Sequence, residues 1–223
     1  MLLNAQQIKE AVEAKQVQIE PYIDDQREAA SYDLRVGKEG ITTTEKQLVN
    51  IEERGLLSVR AGDFAVLTTD EVIELDAQHT ARIGLRSKYA RKGIVATTGP
   101  QIDPGFRGHL MVGIINLSPQ DVSFSHHDSF LSIELHRLSS PTDRPYDGPF
   151  QGRLKLGPDE IEQITESSRM SMSRVMETLQ HLAKDVAVMS ASISSMKLWT
   201  PIICVGSLAV FTAIVSLLMW FFN

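Results

Sequence analysis

Four stretches of this chain carry side chains that could do chemistry. The densest in cations is Leu85-Arg86-Ser87-Lys88-Tyr89-Ala90-Arg91-Lys92-Gly93. Its four cations and a hydroxyl stand at an expected strand-to-helix junction. That setting suits a phosphate chain, because helix N-terminal amides and Arg forks both favour anions. A solvated basic patch would read the same way. The second stretch is Gly99-Pro100-Gln101-Ile102-Asp103-Pro104-Gly105-Phe106-Arg107-Gly108-His109. Asp103 stands on a tight Pro-Gly turn with an aromatic ring, Phe106, close behind. This could present a base beside a stacked nucleobase, or be an ordinary hairpin turn. Asp33 belongs to the third, an acid set within the strand-like run of residues 30–37. The fourth, residues 144–153, is a flexible tail with Tyr146, Gln151 and Arg153. His126-His127-Asp128 offers imidazoles and a carboxylate, but no further ligand is in view, so no metal site is expected.

These groups need a frame. Residues 4–15 read as a short helix, with Asn4 and Gln7 in a capping-box spacing and Ile8, Val12 and Ala14 on one face. From Val17 to about Leu138 the texture is short β-type runs: Tyr32-Leu34-Val36, Phe64-Val66-Thr68, Ile83-Leu85, 110–115 and 130–135. Ala61-Gly62-Asp63, Asp103-Pro104-Gly105 and Ser118-Pro119 punctuate them. Many short strands with Gly/Pro turns predict a mainly β domain, sandwich or barrel-like, over 1–138. Residues 139–157 are Pro/Gly-rich and are expected to be an irregular tail.

From Pro158 the pattern turns helical. Ile161, Thr165, Ser168, Met172, Val175, Leu179, Leu182, Val186, Met189, Ile193 and Met196 alternate spacings of four and three. That seam predicts a coiled coil over 158–199; an amphipathic helix packed back on the β-domain is the alternative. Residues 201–223 then carry no charged side chain. An apolar run of about 20 residues is long enough to cross a bilayer core as a helix, here 200–222. Carried into this span, the heptad register gives Thr200, Ile203, Ser207, Val210, Ile214, Leu217 and Phe221. The column could line a pore closed by a hydrophobic constriction, or be ordinary anchor packing. With Lys197 flanking the span and no signal peptide in view, the expected placement is a single-pass, C-terminally anchored protein of the inner membrane, its N-terminal part cytoplasmic. The net charge of −6 argues against duplex nucleic acid as a partner. The one cysteine, Cys204, lies in the apolar run, which excludes a disulfide framework and a Cys-based zinc site.

Taken in order, the motifs resemble the dCTP deaminase/dUTPase family, and its deaminase branch in particular. The resemblance opens with Ile8-Lys9-Glu10-Ala11, Ile19-Glu20-Pro21 and Ala30-Ser31-Tyr32-Asp33-Leu34-Arg35. It continues through Arg86-Ser87…Ala90-Arg91…Gly93 and Ile102-Asp103-Pro104-Gly105-Phe106…Gly108 to Pro145-Tyr146…Gly148…Phe150-Gln151-Gly152. The coiled coil and anchor lie outside it. It implies a distorted jelly-roll subunit that usually trimerises, with deoxynucleotide pockets between subunits. It puts Arg86, Ser87 and Arg91 at the triphosphate and base, and Asp103 on the carboxylate that activates water in dUTPases. Asp33 falls in the first motif, and Tyr146 and Gln151, with Arg153, in a tail that folds over the nucleotide. It implies no resident cofactor; Mg²⁺ could accompany a bound triphosphate.

The departures point away from deamination. Deaminase members carry a proton-shuttling glutamate three residues before an asparagine, and here Leu110-Met111-Val112-Gly113-Ile114-Ile115-Asn116 puts Gly113 at that place. General acid–base groups contribute roughly 10²–10⁴-fold, so deamination of that kind is expected to be lost. The fourth motif, His127 to Glu134, lacks the glutamine of dUTPases, and Pro149 replaces a lysine common in the deaminase tail. Two functions follow. One is a membrane-anchored homo-oligomer, trimer or tetramer, that senses a deoxynucleotide or oligonucleotide and drives a transmembrane bundle. A ligand-gated pore in antiviral defence would fit that combination. The other is a membrane-tethered dUTPase-type hydrolase using Asp103.

Overall fold

The computed structural model describes residues 1–158, 161–162, 164, 178–190, 206–208, 211–212, 214–215 and 217–219. The chain divides into two units, Met1–Arg174 and Val175–Asn223. The first opens with helix α1 (Ala5–Glu13). Asn4 caps it: the Gln7 N–H donates to Asn4 Oδ1 and the Asn4 N–H to Gln7 Oε1, both at 3.0 Å. An N-cap of this kind is worth about 1 kcal/mol. Ile8 and Ala11 form the buried face.

Up to residue 137, eleven strands, two short α-helices and a 3-10 turn (Asp24–Gln26) follow: β1 (Val17–Glu20), β2 (Tyr32–Thr42), β3 (Val49–Asn50), α2 (Ile51–Arg54), β4 (Leu56–Val59), β5 (Phe64–Leu75), β6 (His79–Leu85), α3 (Ser87–Ala90), β7 (Ile94–Ala96), β8 (Gln101–Ile102), β9 (Arg107–Asn116), β10 (Val122–Ser125) and β11 (Ser129–Arg137). The expected strand runs all fall within them. The main path runs β7-β9-β5-β2-β11-β6-β8, with β1 added on β5 and β3 on β2. β2 serves two layers. Its first half pairs with β11 (Tyr32↔Ile133, Asp33↔Ser132) and its second with β5 (Gly40↔Leu67, Ile41↔Val66). Gly37 stands between the halves, where a Cβ would overlap the Thr69 carbonyl. A strand enclosed on both faces loses the period-two alternation, and residues 32–37 of β2 are all buried.

The core gathers inward-facing residues of both layers, among them Leu34, Leu67, Ile73, Val112, Ile114, Ile133 and Leu135. Tyr89 of α3 stacks on Phe124 at 4.5 Å, and its hydroxyl donates to Asp128 Oδ2 at 3.2 Å. That contact pins the four-residue α3, with its cations, to the β10–β11 turn. Residues 139–157 hold no helix or strand, as expected, yet they are tied down. The Leu156 N–H donates to Glu39 Oε2 at 2.9 Å, and Leu156, Ile161 and Ile164 pack on Ile41, Val66, Phe64 and Met111. The first residue of the expected coiled-coil seam, Ile161, therefore packs on the β-domain instead.

Residues 178–190 of the second unit are helical, with Leu179, Leu182, Val186 and Met189 exposed. Thr165, Ser168, Met172, Val175, Ile193 and Met196 of the seam lie outside the described residues. Among the described residues no helix is long and apolar enough to cross a membrane. Of the expected pore column, Ser207, Ile214 and Leu217 are described and helical. Thr200, Ile203, Val210 and Phe221 lie outside the described residues, as does most of 200–222.

Candidate functional site

Asp103, from the Asp-Pro-Gly turn between β8 and β9, lines a cleft of ≈ 180 Å³. Ile83, Thr98, Gln101, Asp103, Phe106, His109, Leu110, Tyr146 and Phe150 line it. Asp103 is its single carboxylate among the described residues. It is exposed, and Gln101 Nε2 donates to its Oδ1 at 2.7 Å. Gly105 gives the turn its shape with φ 84°, a left-handed conformation that costs glycine little. A Cβ there would also strike Pro145 at 2.6 Å.

The tail closes against this turn. The Tyr146 N–H donates to the Pro104 carbonyl at 2.8 Å, and the Tyr146 ring meets Phe106 edge-on at 5.7 Å. Gln151 clips the turn at both ends of its amide: Nε2 donates to the Gly105 carbonyl at 2.8 Å, and Oε1 accepts from the Arg107 N–H at 2.9 Å. Arg153 lies back on its own segment, with its guanidinium 5.0 Å from the Phe150 ring and Nε donating to the Pro149 carbonyl. Asp103, Phe106, Tyr146 and Gln151 are thus brought together, while the Arg153 side chain is turned onto the tail. Gln101, Thr98 and His109 were missed, for their types are common in strands and turns and only the fold gathers them here.

The cationic set occupies the other end of β6. Arg86 forms an ion pair with Asp33, whose side chain is 5% exposed. Register explains the reach: Ser132 of β11 pairs with Asp33 on one side and Gly84 on the other, so Arg86 crosses one strand to Asp33. Asp33 thus holds Arg86 in place and is itself buried. Ser87, Lys88, Arg91 and Lys92 are exposed around α3. Ala81 of β6 pairs with Ile102 beside Asp103. Arg86 lies five residues beyond Ala81 and three beyond Ile83, the nearest residue of β6 that lines the cleft, roughly 10 Å away at about 3.3 Å per residue. A single chain keeps the Asp103 cleft and the cations apart, and its cleft is smaller than the ~300–1,000 Å³ typical of ligand pockets.

Gly113 has no room for a longer side chain. A Cβ would lie 2.5 Å from Thr97 Oγ1 and 3.1 Å from the Phe64 ring. The Gly113 N–H donates to Thr98 Oγ1 at 2.7 Å, and its carbonyl accepts from the Thr97 N–H at 2.8 Å. Threonines 97 and 98 thus occupy the space over this strand position.

A second polar cluster was not foreseen. Arg35 of β2 bonds Glu71 through both its backbone N–H (2.9 Å) and Nε (2.7 Å), and bonds Asp70 Oδ2 through Nη2 (2.6 Å). Glu71 is fully buried, and that burial pushes its carboxyl up from the usual range against the pull of Arg35. Asp128, the carboxylate read beside His126 and His127 in the sequence, instead takes the Tyr89 hydroxyl.

Comparison with known proteins gives the same outline. A family model described as dCTP deaminase-like matches residues 2–138. The chain is similar to the dCTP deaminase of Thermococcus sibiricus, 34% identical over 149 residues, which are 66% of this chain and 94% of that protein. It is also similar to the dUMP-forming dCTP deaminase of Methanothermobacter thermautotrophicus, 30% identical over 175 residues, covering 70% and 89% of the two chains. Among solved structures, the 2'-deoxycytidine 5'-triphosphate deaminase of Agrobacterium tumefaciens shares the fold at 18% identity and a TM-score of 0.51. The likeness covers 61% of this chain and 47% of that one.

Proposed function

The chain belongs to the dCTP deaminase-like family, and from that premise we propose that its β-domain binds a deoxynucleotide without deaminating it. Gly113 carries this reading. The strand position that bears the shuttling glutamate in deaminases has no side chain here, and Thr97 and Phe64 crowd it. Removing the amine from a cytosine ring needs a group that hands protons to and from the pyrimidine. Asp103, His109 and Tyr146 are the titratable side chains lining the cleft among the described residues, and the Nδ1–H tautomer of His109 donates to the Glu71 carbonyl at 3.2 Å.

The binding site is completed between copies. Arg86, Ser87 and Arg91 of one subunit take the triphosphate, with Mg²⁺ as its companion. Asp103, Phe106 and Tyr146 of a neighbour take the sugar and base, and residues 145–153 cover them. The separation of the two sets along β6 and the small cleft of one chain both support this arrangement. A trimer is the expected assembly and a tetramer the alternative. The exposed Leu179, Leu182, Val186 and Met189 supply the helical contact, and residues 200–222 the bilayer anchor, with the β-domain cytoplasmic. Nucleotide occupancy then reaches the membrane through the helices. For that to work, the ligand must bind two arrangements of the assembly with different affinity.

Full-length protein in detergent, titrated with each deoxynucleoside triphosphate and Mg²⁺, tests the reading. The expected result is binding that Arg91→Ala weakens, with dCTP recovered unchanged. Formation of dUTP or dUMP from dCTP overturns it. The second reading, hydrolysis of dUTP, is favoured by one observation: Asp103 is exposed on a turn beside the Phe106 ring, open to a water and a base. It requires dUMP from dUTP, abolished in Asp103→Asn.

A further inference from the structure

Consecutive residues on an extended strand point to opposite faces. His126 and His127 do not. His127, in the turn between β10 and β11, has φ 65°, a left-handed conformation that non-glycine residues adopt at a cost. With it the two imidazoles stack at 3.8 Å, and both turn toward one carboxylate on a different strand. His127 Nε2 is 3.3 Å from Asp70 Oδ2, and His126 Nε2 is 3.6 Å from Asp70 Oδ1. His126 Nε2 is buried and makes no hydrogen bond.

Asp70 reaches this point through a bulge. Between Thr68↔Met111 and Val72↔His109, β5 has three residues where β9 has one. The surplus lets Asp70 face the turn while Glu71 is buried under Arg35. The Arg35 guanidinium pairs with both Glu71 and Asp70, so two carboxylates share one cation here. The Arg35 guanidinium, at 2.6 Å from Asp70 Oδ2, fixes the orientation of the carboxylate from behind, as outer partners of metal ligands do.

We propose that Asp70, His126 and His127 bind a first-row divalent cation of the zinc type. The three side chains offer ligand atoms that all lie within 4.8 Å of one another. The two histidines approach different oxygens of Asp70, at 3.3 and 3.6 Å, near the roughly 3.4 Å between neighbouring ligands held at ~2.0–2.1 Å by a tetrahedral ion. Two imidazoles and one carboxylate suit zinc, cobalt or nickel better than the all-oxygen preference of magnesium or calcium. Asp70 and His127 also line a cleft of ≈ 490 Å³, with Lys38, Glu52 and Thr69, which gives solvent access to the ion. Bound there, the ion fastens the β10–β11 turn to the β5 bulge. His109 lines both this cleft and the one holding Asp103, so the ion would stand on the far side of that histidine from the nucleotide.

Cobalt titration tests the site independently of any nucleotide. Full-length protein without a polyhistidine tag is stripped with chelator and titrated with Co²⁺ while the visible d–d absorption is followed. The expected result is one Co²⁺ per chain, displaced by Zn²⁺, with zinc raising the melting temperature. His127→Ala removes a half-exposed ligand and should weaken binding by more than the ~10–100-fold that loss of an outer partner costs. His126→Gln should do the same, and His136→Ala, on β11, should leave binding intact. No visible band, or equal bands in the wild type and His127→Ala, overturns the proposal and leaves a histidine–carboxylate cluster.

Discussion

Arg86 and Arg91 carry the same charge in different surroundings, and substituting each should give different results. Arg86 covers the buried Asp33 carboxylate, so Arg86→Ala strands that charge. The expected loss is about 2–3 kcal/mol, below the ~3–5 of a fully buried pair because part of Arg86 stays in water; urea denaturation reads it. Arg91 is exposed. Arg91→Ala should stay within about 0.5 kcal/mol of wild type and act on triphosphate affinity alone. Tyr32 gives a pH prediction. Burial pushes its hydroxyl up to about 12, while its oxygen accepts the Ile23 N–H at 2.9 Å. The unfolded tyrosine ionises near 10. Its contribution is therefore complete below pH ~10 and is lost as the pH climbs toward 12. Tyr32→Phe should flatten that part of an alkaline denaturation curve. Arg86, Arg91 and Asp103 stand out in the sequence because cations at a strand–helix junction and an acid on a Pro-Gly turn are local patterns. The sequence did not separate the roles of Asp33 and Arg86, which follow from Ser132 pairing with strands on both sides.

The strands decide what the side chains may do. On β9, Gly113→Glu would place a carboxylate against Thr97 and the Phe64 ring. Overpacking of this kind costs about 1–3 kcal/mol, and the substitution should destabilise the fold without creating dCTP deamination, measured by thermal melting and product analysis. In the tail, Gln151→Ala removes two of the bonds that clip residues 145–153 to the Asp103 turn, leaving those of the Tyr146 and Gly152 amides. Hydrogen exchange should quicken at the Arg107 and Tyr146 amides, while global stability falls by no more than about 1–2 kcal/mol, the worth of two exposed bonds. Helix α1 with its Asn4–Gln7 cap, the strand runs and the irregular tail could all be read from local periodicity. The Arg35–Asp70–Glu71–His126–His127 cluster could not. Its members span residues 35 to 127, and what joins them is the register shifts of β2 and β5 and the left-handed His127, which leave no period in the sequence. Ile161 shows the reverse failure: it fits the heptad pattern, yet the apolar surface of Ile41 and Val66 takes it first.

For the whole molecule, the proposed function needs a β-domain that binds a nucleotide and a helical segment with an exposed apolar stripe, here Leu179, Leu182, Val186 and Met189. If two copies build each site, Arg91→Ala and Asp103→Asn chains mixed together should regain part of the binding that Arg91→Ala alone lacks. If residues 200–222 anchor and transmit, full-length protein in liposomes should change ion or dye flux when a deoxynucleotide is added, and protein truncated after residue 199 should remain in solution. All of this depends on a pocket that holds its ligand unreacted. The most direct test is to incubate full-length protein with dCTP, dUTP, dATP, dGTP, dTTP and Mg²⁺, and to identify the nucleotides in the protein-bound and free fractions. The account predicts a retained, intact deoxynucleotide and no dUTP or dUMP derived from dCTP. Turnover of dCTP by the wild-type chain, despite Gly113, would contradict it.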